Sequence, residues 1–410
     1  MLGFGKTPVG AARGASARAA HGPRYWSEAW QENLLARFVP FSSLISPHDV
    51  ITRGGDYLRV WRLDGVPFEC ADEHTIAERH EAKCSLLRNL AGGQFAVWEH
   101  RLHRAVADSM GVPPRDGFAR DLALAYNGLM RAERLMSNEL YLTLVYRPTT
   151  ASLGQALQSR RRTRQEIAAG HAEAIRVMDE KSALIDRVIR GFGPELLGTV
   201  QRNTRNYSEV AEFLGYLVNG SWRDVPVHSG PLYRTLPAAR LSFGADKLEI
   251  RYGDQRRYAA FIDIHEYADA VEPGVLDALL YERSEFIETQ SFSILPRREA
   301  MRALELQRDQ LIASDDVVES QVADMDVALN DLGDGQFCMG EYHYSLLVFG
   351  DSAVDAGRQA ARAVGAVGEA CSLQMRPVDL VADAAWFAQM PGNWQWRPAS
   401  TALSPNTSRL

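Results

Sequence analysis

Cysteine is scarce in this chain of 410 residues: there are four, Cys70, Cys84, Cys338 and Cys371, too few and too scattered for a disulfide framework. That usage points to a reducing, cytoplasmic compartment. Long apolar runs are also missing, and none approaches the ~18 residues that a membrane-crossing helix needs. Positive charge is not in excess. A formal net charge of -7 and a pI near 5.9 argue against the molecule as a whole binding nucleic acid, and leave only local basic patches open. A phosphate cradle is absent too. Gly5-Lys6-Thr7 resembles the end of a P-loop, but the loop's first glycine would fall before Met1, no strand precedes it, and no apolar strand ending in Asp-Glu follows elsewhere. Nucleotide hydrolysis machinery is therefore not expected in this chain.

What is present is a globular composition, 46% hydrophobic, long enough for two or three domains. The clearest pattern runs from Glu285 to Phe349. Phe286, Phe292 and Ile294 alternate towards one face of a strand, with Ile287 and Leu295 on the other. After Pro296 the period changes. Met301, Leu304, Leu311, Val318, Val322, Met325, Leu329 and Leu332 recur at helical spacing. Roughly 35 residues at about 1.5 Å each would make a rod of about 50 Å, so a break is expected near Ala313-Ser314-Asp315. Tyr342, Tyr344, Leu346 and Val348 then alternate as a second strand.

Elsewhere the pattern predicts strands over His48 to Thr52 and Tyr57 to Leu63 around an Arg53-Gly54-Gly55-Asp56 turn. A helix capped by Asp72 follows, then a strand over Phe95 to Leu102, a helix near Phe118 to Leu135, and a strand over Glu139 to Tyr146. The same order returns about 200 residues later: Lys247 to Arg251, Tyr258 to Glu266, a helix near Pro273 to Tyr281, and the strand, helix and strand already described. Asn138 to Val145 matches Gly340 to Leu347 in character at an offset of 202. The expected class is α+β, with two ferredoxin-like (ββαβαβ) subdomains and long helical connections. The expected boundaries are a flexible basic arm (1–33), a first subdomain (34–155), a helical connector (156–240), a second subdomain (241–390) and a tail rich in Ser, Thr, Pro and Asn (391–410).

Several residues invite a chemical role. Cys70, His74, His80 and Cys84 would offer four zinc ligands, and a stand-alone metal hydrolase would need them. Their spacing instead puts His80 and Cys84 on one helix face with Ile76 and Leu87 and turns His74 away, so they are read as core and surface residues with no metal. His265-Glu266 and the Glu341/His343 pair lie in strand patterns with no identifiable nucleophile and are read as structural. No catalytic, cofactor-binding or metal-binding residue is assigned. Arg160, Arg161, Arg162 and Arg164 form the densest basic run. It would suit a nucleic-acid-handling module, but Glu166, Glu173, Asp179 and Glu180 follow on the same predicted helix, and a solvated face is the plainer reading. In the long helix Arg297, Arg298, Arg302 and Arg308 precede Asp315, Asp316, Glu319, Asp324 and Asp326, a polarity that opposes the helix macrodipole and suits a charged neighbour instead. Trp394 and Trp396 could anchor a partner, although packing on the parent domain explains them more simply.

A family resemblance rests on longer strings: Phe38-Val39-Pro40-Phe41-Ser42, Gly55 to Gly65, Asn138 to Pro148, Glu212-Phe213-Leu214-Gly215-Tyr216-Leu217-Val218-Asn219-Gly220, Thr289-Gln290-Ser291-Phe292 and Trp386-Phe387-Ala388-Gln389-Met390-Pro391-Gly392-Asn393. In this order they resemble the amino-terminal half of the VirB/CagE/TrbE type IV secretion ATPases, and none is a catalytic motif. The resemblance implies a docking and assembly module, cytoplasmic and peripheral on the bacterial inner membrane, in a machine for DNA or effector export or conjugative pilus assembly. Implied partners are inner-membrane subunits, other secretion ATPases and further copies through the full-length protein; nucleic acid is not favoured. Family members continue into a RecA-like motor domain with the Walker motifs, which this sequence does not show. ATP and magnesium are expected only there, so no cofactor is expected in this chain.

Overall fold

Strands form where apolar residues alternate and turns where glycine permits them. In the computed structural model the described residues are 33–66, 69, 71–106, 117–132, 135–148, 163–266, 273–313, 319–370, 373–397 and 402–403. The chain divides into two units, Met1–Phe38 and Val39–Leu410. The described part of the first unit holds one 3-10 turn, Leu35–Arg37.

The second unit begins with β1 (Phe41–Leu44), β2 (Asp49–Thr52) and β3 (Tyr57–Leu63). β2 and β3 form the expected hairpin, in which Gly55 takes the left-handed conformation at φ 91° that a side chain would strain. Helix α1 (Glu73–Asn89) starts where Asp72 accepts a hydrogen bond from the Thr75 amide at 2.7 Å. Next come β4 (Phe95–Val106), α2 (Phe118–Ala132), β5 (Leu135–Tyr146) and α3 (Arg164–Val188), whose Thr163 and Glu166 make a reciprocal capping box. Three short strands follow, β6 (Pro194–Leu196), β7 (Thr199–Arg202) and β8 (Arg205–Ser208), then α4 (Glu209–Asn219) and a four-residue turn of helix, α5 (Leu232–Thr235). The later part holds β9 (Arg240–Phe243), β10 (Leu248–Tyr252), β11 (Gln255–Glu266), β12 (Phe286–Ile294), α6 (Arg297–Ala313), α7 (Glu319–Asp334), β13 (Gly340–Gly350), α8 (Ala353–Ala370), β14 (Gln374–Pro377), α9 (Ala382–Ala388) and β15 (Ala402–Leu403). The long helical pattern does divide near Ala313. The helix expected at Pro273 to Tyr281 is a tight 3-10 turn, Asp277–Tyr281, too short to hold an α-helical ladder.

The protein is thus mixed α/β with a mostly antiparallel sheet. Thirteen strands share that sheet along the path β1-β2-β3-β5-β4-β12-β13-β11-β10-β9, with β6, β14 and β15 attached beside it, and every neighbouring pair on the path is antiparallel. The expected pair of sheets is therefore one. Its two halves repeat the order: β2-β3-β5-β4 in the first, β10-β11-β13-β12 in the second. They meet where β4 pairs with β12, from Ala96 opposite Ser293 to His103 opposite Phe286. The physical reason is the edge. Two long, buried strands with unpaired backbone groups are costly, and pairing them with each other satisfies both.

One continuous core fills one face. Trp61, Val97, Leu144, Phe292, Tyr344 and Val348 from the strands meet Leu87 of α1, Met178 and Ile185 of α3, and Ala360 and Val367 of α8. The expected connector helix is therefore a layer on the first half, and α8, which strand periodicity did not reveal, does the same for the second. The opposite face is covered by α4 and α9. Helix α4 is buried from Val210 to Asn219, since it is apolar nearly all round, and Gly220 ends it in the left-handed conformation.

Candidate functional site

Four of the six strings that carry the family resemblance, Asn138 to Pro148, Glu212 to Gly220, Thr289 to Phe292 and Trp386 to Asn393, come together at the join between the halves, on the face beneath α4 and α9. Two rows of side chains cross it. Thr143, Trp98, Ser291 and His343 stand opposite one another on β5, β4, β12 and β13, and Tyr141, His100, Thr289 and Ser345 form the next row. A central face this polar is unusual, because strands at the middle of a sheet normally bury apolar groups on both sides.

The covering helices supply partners for part of it. Phe213 of α4 stacks on Tyr141 at 4.3 Å between ring centres and meets His100 edge-on at 5.4 Å. His100 donates from Nε2 to the carbonyl of Gln389 at 2.8 Å, and the Gln389 amide donates to the carbonyl of Leu217 on α4 at 3.2 Å. Asn219 is bonded on every side: it donates to Gly215 and Leu236 and accepts from the amides of Ala238 and Ala239. Asn393 donates to the carbonyl of Phe387 at 2.9 Å, closing the turn after α9. These amides join loop to helix to sheet where apolar residues would only fill space.

The segment leaving the seam is clamped. Trp394 lies edge-on to Trp98 at 4.8 Å and under the Arg147 guanidinium at 4.2 Å, and donates its indole N–H to Asp56 at 2.7 Å. Burial raises the Asp56 carboxyl above its usual range, opposed by the Trp394 hydrogen bond and by Arg147. Arg397 donates to the Ser293 hydroxyl and, at 2.9 Å, to the carbonyl of Glu341; burial lowers its pKa to about 10.

Chemically the seam is closed and neutral. His343, the most exposed of the side chains in these two rows, is 5% exposed. Burial pushes the His100 imidazole down to about 4, and burial, helped by the charge of Arg397 and by His100, pushes His343 to about 3. The Ser291 hydroxyl and His343 Nδ1 each lack a protein hydrogen-bond partner among the described residues, so they form no nucleophile and base pair. The arrangement holds two half-sheets in register; it does not present a reactive group to solvent.

The described candidates from the sequence do not gather into one site. His74 is exposed beside Glu78, and His80 lies 3.3 Å from the buried Cys84 thiol, while Cys70 and Cys371 fall outside the described residues. Among the described residues no three His, Cys, Asp or Glu side chains form a group able to hold a metal. His265 and Glu266 are exposed at the end of β11; Glu341 is exposed and His343 buried. Arg160, Arg161, Arg162 and Gly5-Lys6-Thr7 lie outside the described residues, whereas Arg164 opens α3 and Arg297 and Arg298 open α6, all exposed. Trp394 and Trp396 pack on the protein itself, Trp396 against Phe387 at 5.2 Å. Sequence reasoning did not find the seam, although Thr289 to Phe292 and Gln389 to Asn393 already stood among the recognised strings. One open depression of about 550 Å³ is lined by Arg62, Tyr141, Arg202, Glu209, Glu212 and Asp224; Arg202 pairs with both Glu212 and Asp224 and Arg62 pairs with Glu195, so both arginines are engaged and the carboxylates outnumber them. No described helix is long and apolar enough to cross a membrane.

The described residues thus form a mixed α/β scaffold with a buried polar join between its halves. The chain belongs to the CagE, TrbE, VirB family, component of type IV transporter system, whose profile matches residues 195–399. The profile of the N-terminal domain of the type IV secretion system ATPase VirB4/TrbE matches residues 48–153. The type IV secretion system protein PtlC homolog of Bordetella bronchiseptica is 37% identical over 92% of this chain and 46% of its own length. The virB4 proteins of Brucella abortus and Bartonella quintana are 35% and 29% identical over 93% and 91% of this chain, and 47% and 48% of their own lengths. The chain spans about half the length of the curated relatives it matches.

Proposed function

We propose that this chain is a docking and assembly module of a type IV secretion ATPase. The observation that carries the reading is that four of the six strings resembling the family build a closed structural seam, with no reactive centre assembled among the described residues. A chain selected for such a join contributes a rigid surface. In this reading each half of the sheet is a ferredoxin-like unit with its last strand moved to the front. Residues 34–155 and 241–390 hold the strands of the two units, and α3 from the intervening stretch completes the first. ATP and magnesium belong to another region of such an ATPase, whose N-terminal domain profile is the one this chain matches, and this module meets inner-membrane subunits and neighbouring copies at the cytoplasmic face of the membrane.

The test is co-purification of the chain with each tagged inner-membrane subunit of the same machine, produced together without added nucleotide. A stable complex with at least one subunit is expected. Failure to retain any of them would remove the docking role.

A further inference from the structure

Helix α2 turns its apolar side outward. Phe118 is 82% exposed, Leu129 69% and Leu122 57%, with Leu124 and Tyr126 also exposed, while Ala123 is buried. At 3.6 residues per turn, Phe118, Leu122 and Leu129 fall within about 40° of one another and roughly 100–140° away from Ala123, so they form one stripe facing away from the body. No described element packs extensively on it.

The internal repeat provides a control. Helix α7 occupies the same place in the second half, between the third and fourth strands, and ends at Asp334, 202 residues after α2 ends at Ala132. At the same offset Leu122 corresponds to Asp324 and Leu129 to Asp331, both exposed acids. The inward positions correspond as well: Ala123 to Met325 and Met130 to Leu332, which packs on α6. The fold therefore accepts charge on this outer face, and the leucines of α2 answer to something outside the chain.

The geometry points to α2 as a helix that inserts its Phe118, Leu122 and Leu129 stripe into an uncharged apolar groove of another protein subunit of the secretion machine, a conclusion that rests on the docking role proposed above. Two features select this occupant. Helices that lie on lipid surfaces carry a Lys/Arg-rich polar face, whereas α2 has two arginines, Arg120 and Arg131, one aspartate, Asp121, and no lysine, in a chain of net charge -7. A face about 22 Å long and on the order of 10 Å wide covers roughly 200 Å², far below the about 800 Å² per partner of a stable interface, so packing of α2 on α2 of a second copy does not hold a dimer. A groove that encloses the stripe on several sides uses the same residues as spaced anchors.

The experiment places p-benzoylphenylalanine at position 122 or 129 of the full chain, with position 324 as control, in cells making each tagged subunit of the machine, and reads photo-crosslinks to those tags. The result expected is a crosslink to one tagged subunit from 122 and 129 but not 324, reduced at least ten-fold by Phe118→Asp at the other end of the stripe, with the thermal unfolding midpoint unchanged. Crosslinks to a second copy of the chain, or Phe118-dependent flotation with phosphatidylcholine/phosphatidylglycerol vesicles in place of subunit crosslinks, would overturn the inference. If the chain co-purifies with a subunit while positions 122 and 129 give no crosslink, the inference fails and the docking role stands; if it co-purifies with none, both fail.

Discussion

Asp49→Ala is expected to destabilise the protein by about 3–5 kcal/mol, the cost of removing one member of a buried ion pair and leaving the other charge uncompensated. Arg59 and Asp49 are 3% and 1% exposed, and Arg59 donates to both Asp49 oxygens at 2.8 Å from Nε and Nη2. Its remaining nitrogen reaches Asp179 and Ser182 of α3, also at 2.8 Å. The pair thus ties β2 and β3 to the helix that covers them. Asp179 is 64% exposed on its other side and its attraction is screened by water, so it does not replace Asp49. Urea unfolding of Asp49→Ala beside Asp179→Ala gives the check. The first should lose several times more stability than the second; equal losses would mean that Arg59 is not held as described.

The seam produces the second large effect, in pH. His100 and His343 have folded pKa values lowered to about 4 and about 3, against about 6.5 in an unfolded chain. For a base held neutral by burial, the stability is fully present above about pH 6.5. It is lost as pH falls, because the unfolded chain takes up protons that the folded chain refuses. At pH 5 each histidine accounts for about 2 kcal/mol relative to pH 7, so the two together cost about 4 kcal/mol, and the loss from them levels off below about pH 3. Urea midpoints at pH 7 and pH 5 should differ accordingly. In His100→Gln the difference should shrink by about half; a variant with the wild-type slope would show that His100 is not held neutral.

Much of the fold was legible because local periodicity and global position agree. Tyr57 to Leu63, with Arg53 to Asp56 as its turn, Asp72 as a cap, and the alternation of Tyr342, Tyr344, Leu346 and Val348 all follow from backbone geometry that neighbouring residues dictate. The join of β4 to β12 was not legible. It depends on which edge meets which, a choice made by residues nearly 200 apart, and the polar rows of Trp98, His100, Thr289 and Ser291 look like solvent-facing positions until their cover is known. Helix α8 was passed over although its buried residues, Ala356, Ala360, Ala363 and Val367, recur at helical spacing; three of the four are alanine, which marks a core face less plainly than larger apolar residues do. Of the candidate ligands that are described, His80 and Cys84 meet as neighbours one turn apart on α1 while His74 stays exposed beside Glu78, an arrangement set by helix spacing that the sequence already showed. The outward stripe of α2 was present in the sequence as a helical pattern, and only its exposure distinguishes it from a core face.

The central claim is that this chain acts through its surface, and competition inside cells tests it most directly. The measurement is substrate export by bacteria with an intact secretion machine while this chain is made in excess. The account predicts that export falls as the chain occupies docking positions, and that Leu122→Asp with Leu129→Asp relieves the inhibition at equal protein level. Undiminished export with the folded chain in at least ten-fold excess over the resident ATPase would contradict it.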